Sequence, residues 1–374
     1  MLPKRFLRGV LLLVALSGLA LTLVPPSLQM QAACQSSSGQ NRFGVNEVLG
    51  WPGLYTPERL ETSLGMMQDA GIGWVRVTWA WKDMQSQAGA SFDYTHLDAV
   101  AATAAEHHVQ LLPILLAVPA WSSSAPEALK TQYGNLSPVD HYRPNDIQDW
   151  LHYVQNVVER YDGDGVDDAP GSPRINYWEV WNEPNIAFFW QPKPDAAEYF
   201  ALLSATYQTI KAADPTAKVV LGGLANADSG YLQALYTLGA APYFDVVSVH
   251  LYSYPANGIA PVQNALASVR ATMNANGDQN KPLWLTEIGW SDAPNAWGAP
   301  TVSQDEVAAF VTAVYSAPLP ADLIFWYNFR NIFPNSTDVE HNFGLVNADF
   351  TPKPAFKAYE ALSAPCAEAT STPP

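Results

Sequence analysis

Eight short runs of nearly unbroken apolar residues, each separated from the next by a stretch of helical periodicity, limit what this chain can fold into. The runs are "RFGVN" (42–46), "GWVRVTW" (73–79), "VQLLPILLA" (109–117), "INYWEVW" (175–181), "AKVVLGG" (217–223), "FDVVSVH" (244–250), "PLWLTEIG" (282–289) and "DLIFWYN" (322–328). A strand that is apolar on both faces is covered on both faces, which is the condition of a parallel sheet wrapped by helices. The intervening stretches supply those helices. In 144–161, Ile147, Trp150, Leu151, Val154, Val157, Val158 and Tyr161 recur at three- and four-residue spacing behind Asn145 or Asp146 as N-cap. Pro57–Ala70, Tyr94–His107, Ala196–Ala213, Ser229–Leu238, Val262–Met273, Gln304–Ser316 and Lys353–Leu362 read in the same way. Eight such units predict a single-domain α/β fold, the closed (β/α)8 TIM barrel, over residues 42–362. An open doubly wound sheet fits less well, because none of the strands is followed by the glycine-rich phosphate turn such sheets often carry.

The ends of the chain read differently. Lys4, Arg5 and Arg8 precede the apolar run Gly9–Val24, and small residues follow, so residues 1–33 are expected to be a secretory signal peptide, with a retained N-terminal anchor as the alternative. Residues 34–41 are expected to be a short linker and 363–374 a C-terminal tail. Export would permit Cys34 and Cys366 to pair, while a lipid anchor on Cys34 is the competing reading. The formal charge is −16, and loss of residues 1–33 removes three cations and no acid. Such a surface repels nucleic acid and anionic membranes. A secreted or cell-surface monomer is expected.

In a barrel of this type, functional side chains collect where strands end. Glu183 follows the fourth strand and Glu287 closes the seventh, so two carboxyls are expected at one mouth. A pair of acids suits glycoside hydrolysis, in which one protonates the leaving oxygen and the other attacks the anomeric carbon or activates water. The alternative is that each is a structural acid paired with a buried cation.

The stretches "WNEPN" (181–185), "LTEIGW" (285–290), "VSVHLYSYP" (247–255), "IFWYNF" (324–329) and "FGLVNADFTPKPAFKAY" (343–359) resemble the clan A retaining glycoside hydrolases, most of all family 39 and family 5-like enzymes. The resemblance implies Glu183 as acid/base, Glu287 as nucleophile, and Asn182 holding the sugar 2-hydroxyl. It also implies that Arg76 hydrogen-bonds the nucleophile, although as the only charge in its strand Arg76 could instead neutralise a core acid such as Glu179. His250 and Tyr252 end the sixth strand, where a tyrosine can donate to the nucleophile. Trp326 ends the eighth, where the resemblance implies an aromatic floor under the sugar. Trp79, Trp81, Trp121, Trp190 and Trp290 lie in or beside loops that could line further subsites.

No cofactor is expected, and no catalytic metal, because the seven histidines form neither HxH nor HExxH. Asp162, Asp164, Asp167 and Asp168 could ligate calcium, but a Gly/Asp turn is the simpler reading of "YDGDGVDDAPGSP". The expected substrate is a β-linked oligo- or polysaccharide. Exo-acting members of family 39 carry an added β-sandwich for which this chain leaves no room, so an open-cleft enzyme is preferred to a β-xylosidase. A non-catalytic glycan-binding barrel is the remaining alternative.

Overall fold

The computed structural model describes residues 34, 39–294 and 296–366; the expected signal peptide and the last eight residues of the expected tail lie outside them. All eight strands form: β1 (Phe43–Asn46), β2 (Trp74–Ala80), β3 (Gln110–Leu116), β4 (Tyr177–Asn182), β5 (Lys218–Gly223), β6 (Val247–His250), β7 (Leu283–Ile288) and β8 (Leu323–Trp326). Neighbours run parallel in the order β5-β4-β3-β2-β1-β8-β7-β6. The seam between β5 and β6 is closed by the bridges Val220–Val246 and Leu224–Val249. Among the described residues this leaves no open edge on the sheet.

The helices that cover the barrel are α1 (Pro57–Asp69), α2 (Thr95–Glu106), α3 (Ile147–Arg160), α4 (Ala196–Ala213), α5 (Ser229–Thr237), α6 (Ala260–Ala275), α7 (Gln304–Ser316) and α8 (Pro354–Ser363). Their starts are written in side chains. Asp146 accepts from the Gln148 N–H, Asp195 from the Ala197 and Glu198 N–H groups, and Ser303 forms a reciprocal capping box with Glu306. Trp150, Tyr153, Val154, Val157 and Val158 of α3 are buried against the barrel, as the spacing predicts.

The barrel interior is layered. Trp74, Leu112, Val220, Val246, Trp284, Leu323 and Phe325 form an apolar plug near the N-terminal ends of the strands. A side chain on Gly44 would meet the Phe325 ring at 2.6 Å, so only glycine fits on β1 at that level. Above the plug the same strands turn polar.

The described parts of both ends are tied to the barrel. Asn41 donates to the Gly71 carbonyl (3.0 Å) and Gln40 to the Tyr177 hydroxyl (2.9 Å), across the closed end of the barrel. A turn, Ala364–Cys366, follows α8 directly, and its buried Cys366 is disulfide-bonded to Cys34. That bond leaves no thiol on Cys34 for a lipid.

Candidate active site

Arg76 organises the polar layer. Two residues beyond Trp74 on β2, it crosses the interior and donates from Nε to Glu179 (2.5 Å), from Nη1 to Glu287 (2.6 Å) and Asn46 (3.0 Å), and from Nη2 to Asn182 (2.7 Å). Burial alone would lower its pKa, but Glu179 and Glu287 outweigh that and raise it. Arg76 therefore does both things the sequence suggested, neutralising a core acid and binding a rim acid. Glu179 is fully buried and also accepts from the Gly223 N–H (2.9 Å) and the Ser248 hydroxyl (3.2 Å), so its charge is met within the barrel.

Strand β4 reaches the mouth through a change of backbone parity. Tyr177 and Glu179 face inward, yet Trp181 turns out to pack on Trp150 and Trp190, and Asn182 faces the cleft. The switch is local: Trp181 has φ +71° and Glu183 φ +44°, left-handed conformations uncommon for side chains of this size. The Glu183 N–H is fixed to the Gly223 carbonyl at 3.0 Å. On β7 a register shift between Leu285 and Ile288 likewise carries Glu287 into the opening.

His250 joins the two acids. Its Nδ1 lies 2.8 Å from Glu183 Oε1 and 3.5 Å from Glu287 Oε2, and one ligand-type atom of each residue falls within 4.8 Å of the others. The ring occupies the space a side chain on Gly223 would need, at 2.0 Å from the position of its Cβ. Burial pushes the imidazole down to about 4, so at neutral pH it is uncharged. Nε2 has no partner, which places the single ring proton on Nδ1, since an N–H there would be a buried donor without an acceptor.

The two carboxyls sit in different surroundings. Burial raises Glu183 to about 7, with Arg76 opposing and Glu179 reinforcing the shift. Glu287 accepts from Arg76 and from the Tyr252 hydroxyl (2.5 Å), and burial keeps that phenol protonated by raising its pKa. Glu183 is thus arranged to carry a proton, while Glu287 lies against two donors.

A cleft of ≈ 330 Å³ opens at Glu287, lined by Asn46, Glu47, Trp51, Arg76, Asn182, Phe189, Glu287, Tyr327, Asn328, Glu340 and His341 among others; Glu183, His250 and Tyr252 meet Glu287 from outside that lining. Trp326 is absent from it. The expected aromatic floor is fully buried and packs outward on Phe310 of α7, because β8 alternates: Phe325 points into the plug, Trp326 out, and Tyr327 into the cleft. Tyr327 holds the place assigned to Trp326. Trp79, Trp81 and Trp190 are core side chains, Trp290 is nearly so, and the Trp121 indole donates to the Gln85 carbonyl; none of the five lines the cleft. In the loop 161–173, Asp162, Asp164 and Asp168 accept from the N–H groups of Asp164, Val166 and Gly165, which is turn chemistry. Sequence reading missed Asn46 and Glu47, although they close β1 as Glu183 and Glu287 close their strands.

The family model described as Glycosyl hydrolases family 39 matches residues 57–368. The chain belongs to glycosyl hydrolase family 39. Among the family 39 chain's relatives, a β-xylosidase of Geobacillus stearothermophilus is 26% identical over 260 residues, covering 62% of this chain and 48% of that protein. A β-xylosidase of Caldicellulosiruptor saccharolyticus is 24% identical over 300 residues, 73% of this chain and 56% of that one. The chain thus spans about half the length of the curated relatives it matches. The crystal structure of a family 39 enzyme from Xanthomonas axonopodis pv. citri superposes with a TM-score of 0.68 at 22% identity, over 91% of this chain and 72% of that one. This likeness establishes the barrel as that of the family 39 fold.

Proposed function

We propose that this family 39 chain is an exported, retaining β-glycoside hydrolase acting on a β-linked oligo- or polysaccharide, with Glu183 as acid/base and Glu287 as nucleophile. The observation that carries the reading is the pair of carboxyls bridged by His250, with one oxygen of each within 4.8 Å of the other. Inverting enzymes hold their acids about 6.5–9.5 Å apart to admit a water, whereas retaining ones hold them about 5–5.5 Å apart. The short separation supports double displacement.

The chain's own residues suit each step. In the first, Glu287 attacks the anomeric carbon while Glu183 gives its proton to the departing oxygen. Because His250 Nδ1–H donates to Glu183 Oε1, that proton resides on Oε2. Arg76 and Tyr252 orient the Glu287 carboxylate, and Asn182, held by Arg76, is presented to the sugar 2-hydroxyl. In the second step Glu183, now ionised, takes a proton from water, which breaks the glycosyl-enzyme bond with net retention. The disulfide and the N-terminal segment support export to an oxidising compartment.

Aryl β-glycosides and soluble polysaccharides test the activity, and azide assigns the roles. Glu183→Ala with a good leaving group should form the glycosyl-enzyme and release a β-glycosyl azide. Glu287→Ala should give the α-azide by direct displacement. The reverse stereochemistry would exchange the two roles, and no turnover of any glycoside by the unmodified protein would sink the reading.

A further inference from the structure

Strand β4 aims Asn182 and Glu183 by way of two left-handed residues, Trp181 and Glu183, and such backbone persists only where its surroundings hold it. Tyr199, fully buried in the first turn of α4, supplies that hold from outside the cleft lining. β4 and β5 keep one register, Val180 opposite Leu221 and Asn182 opposite Gly223, but the pair between them, Trp181 and Gly222, is missing from the ladder. Regular parallel pairing would carry the Gly222 N–H straight to the Val180 carbonyl. Instead the Tyr199 hydroxyl stands in the gap, accepting from the Gly222 N–H (2.8 Å) and donating to the Val180 carbonyl (2.9 Å). A hydroxyl can do both at once.

The same tyrosine also reaches the switch through its ring. It packs edge-on against Trp190 (5.6 Å), and Trp190 packs edge-on against the outturned Trp181 (5.1 Å). Gly222 leaves the space: a Cβ there would meet the Val180 carbonyl oxygen at 2.5 Å and the Tyr199 hydroxyl at 3.0 Å. Main-chain pairing resumes where the Glu183 N–H reaches the Gly223 carbonyl (3.0 Å). The break is thus confined to the point at which β4 changes face, and one side chain spans it. We propose that Tyr199 is a positioning residue for the acid/base: its hydroxyl replaces the ladder bond that β4 gives up at Trp181, and so fixes the direction in which Glu183 leaves the strand toward His250 and Glu287. The inference rests on Glu183 as acid/base. The competing role is structural, in which the hydroxyl serves only to satisfy two buried backbone groups.

Leaving-group dependence separates the two. kcat/KM is measured for dinitrophenyl, nitrophenyl, phenyl and methyl β-glycosides of a sugar that the unmodified protein hydrolyses, with Tyr199→Phe, Glu183→Ala and, as a matched control, Tyr153→Phe. Tyr153 is an equally buried tyrosine of α3, and its hydroxyl donates to the Trp79 carbonyl (2.8 Å) on β2. Departure of a phenyl or methyl aglycone needs a well-aimed acid, whereas dinitrophenyl leaves with little help. Tyr199→Phe should therefore lose about 10–100-fold on the phenyl and methyl glycosides and no more than about threefold on the dinitrophenyl one, a weaker copy of Glu183→Ala. Tyr153→Phe should lower the melting temperature and keep the leaving-group dependence of the unmodified protein. In Tyr199→Phe, amide exchange should quicken about tenfold or more at Gly222 and Glu183 and stay unchanged at Trp178 and Val219, lower on the same strands. Equal losses on every leaving group would overturn the proposal in favour of a structural hydroxyl, and so would unchanged exchange at Gly222 and Glu183. If Tyr199→Phe does not fold, Gly222→Ala parts the strands at the same point and is taken through the same series. Failure of both to fold would make the hydroxyl a requirement of the fold and overturn its positioning role. If Glu183→Ala itself shows no leaving-group dependence, or no glycoside is turned over, the acid/base reading fails; quickened exchange confined to Gly222 and Glu183 would still leave Tyr199 as the group that fixes the direction of Glu183.

Discussion

The lower and upper halves of the barrel interior are built on the same strands, two residues apart, and obey opposite rules. On β2 the step is from Trp74 to Arg76, on β4 from Tyr177 to Glu179, from Val246 just before β6 to Ser248 and His250 on it, and from Phe325 on β8 to Tyr327 just after it. The lower layer consists of large apolar side chains with edge-to-face rings, as between Trp74 and Trp284 at 5.5 Å. The upper layer is a guanidinium shared by two carboxylates, capped by an uncharged imidazole. Burying such ions gains little stability over apolar replacements of similar size. The difference teaches that apolar packing carries stability at the plug, while the ionic layer fixes where Glu287 and Asn182 sit.

The strongest way to break that contrast is at the top. Glu287→Ala should reduce kcat on aryl glycosides by on the order of 10⁴-fold or more, with the melting temperature little changed. A smaller loss would mean the upper layer is not where the chemistry lies. Arg76→Met alone should remove activity and also cost about 3–5 kcal/mol in denaturant unfolding, because Glu179 is left buried and unpaired. Adding Glu179→Met should restore most of the stability and none of the activity, which would separate the layer's two consequences.

The lower layer should behave in the converse way. Trp284→Ala opens a cavity in the plug and should cost about 3–5 kcal/mol of stability, while kcat below the melting range stays within a few-fold of the unmodified enzyme. The smallest effect is a matter of pH. With burial raising Glu183 to about 7, the acid required for the first step is present below that value, so kcat/KM should fall about tenfold per unit as pH rises above it. His250, pushed down to about 4, stays neutral across that range and should add no second limb there. A plateau continuing above pH 8 would mean that Glu183 is not the proton donor.

Much of this was legible in the sequence for a simple reason. Doubly covered strands advertise themselves as apolar runs, and a carboxyl at the end of such a run is out of place unless it has work at the barrel mouth. Glu183 and Glu287 were found that way, and Asn46 and Glu47 could have been. What the sequence concealed was orientation. In "DLIFWYN" the residues are too uniformly apolar to show which face each takes, so Trp326 and Tyr327 could be told apart only by the inward position of Phe325. On β4 the parity itself changes at Trp181, and no alternation rule carries through a left-handed residue. Arg76 was ambiguous for a different reason: its partners lie on β4 and β7, and only the closed barrel brings both within reach of one guanidinium.

The bond between Cys34 and Cys366, 332 positions apart, makes the folded polypeptide a covalent ring. A ring cut once is still one molecule. A protease that nicks any single exposed loop between the two cysteines would leave all eight strands in place on a chain reordered about the cut, in effect a circular permutant joined through sulfur. Two cuts, or one cut followed by reduction, would be needed before any part of the barrel could drift away.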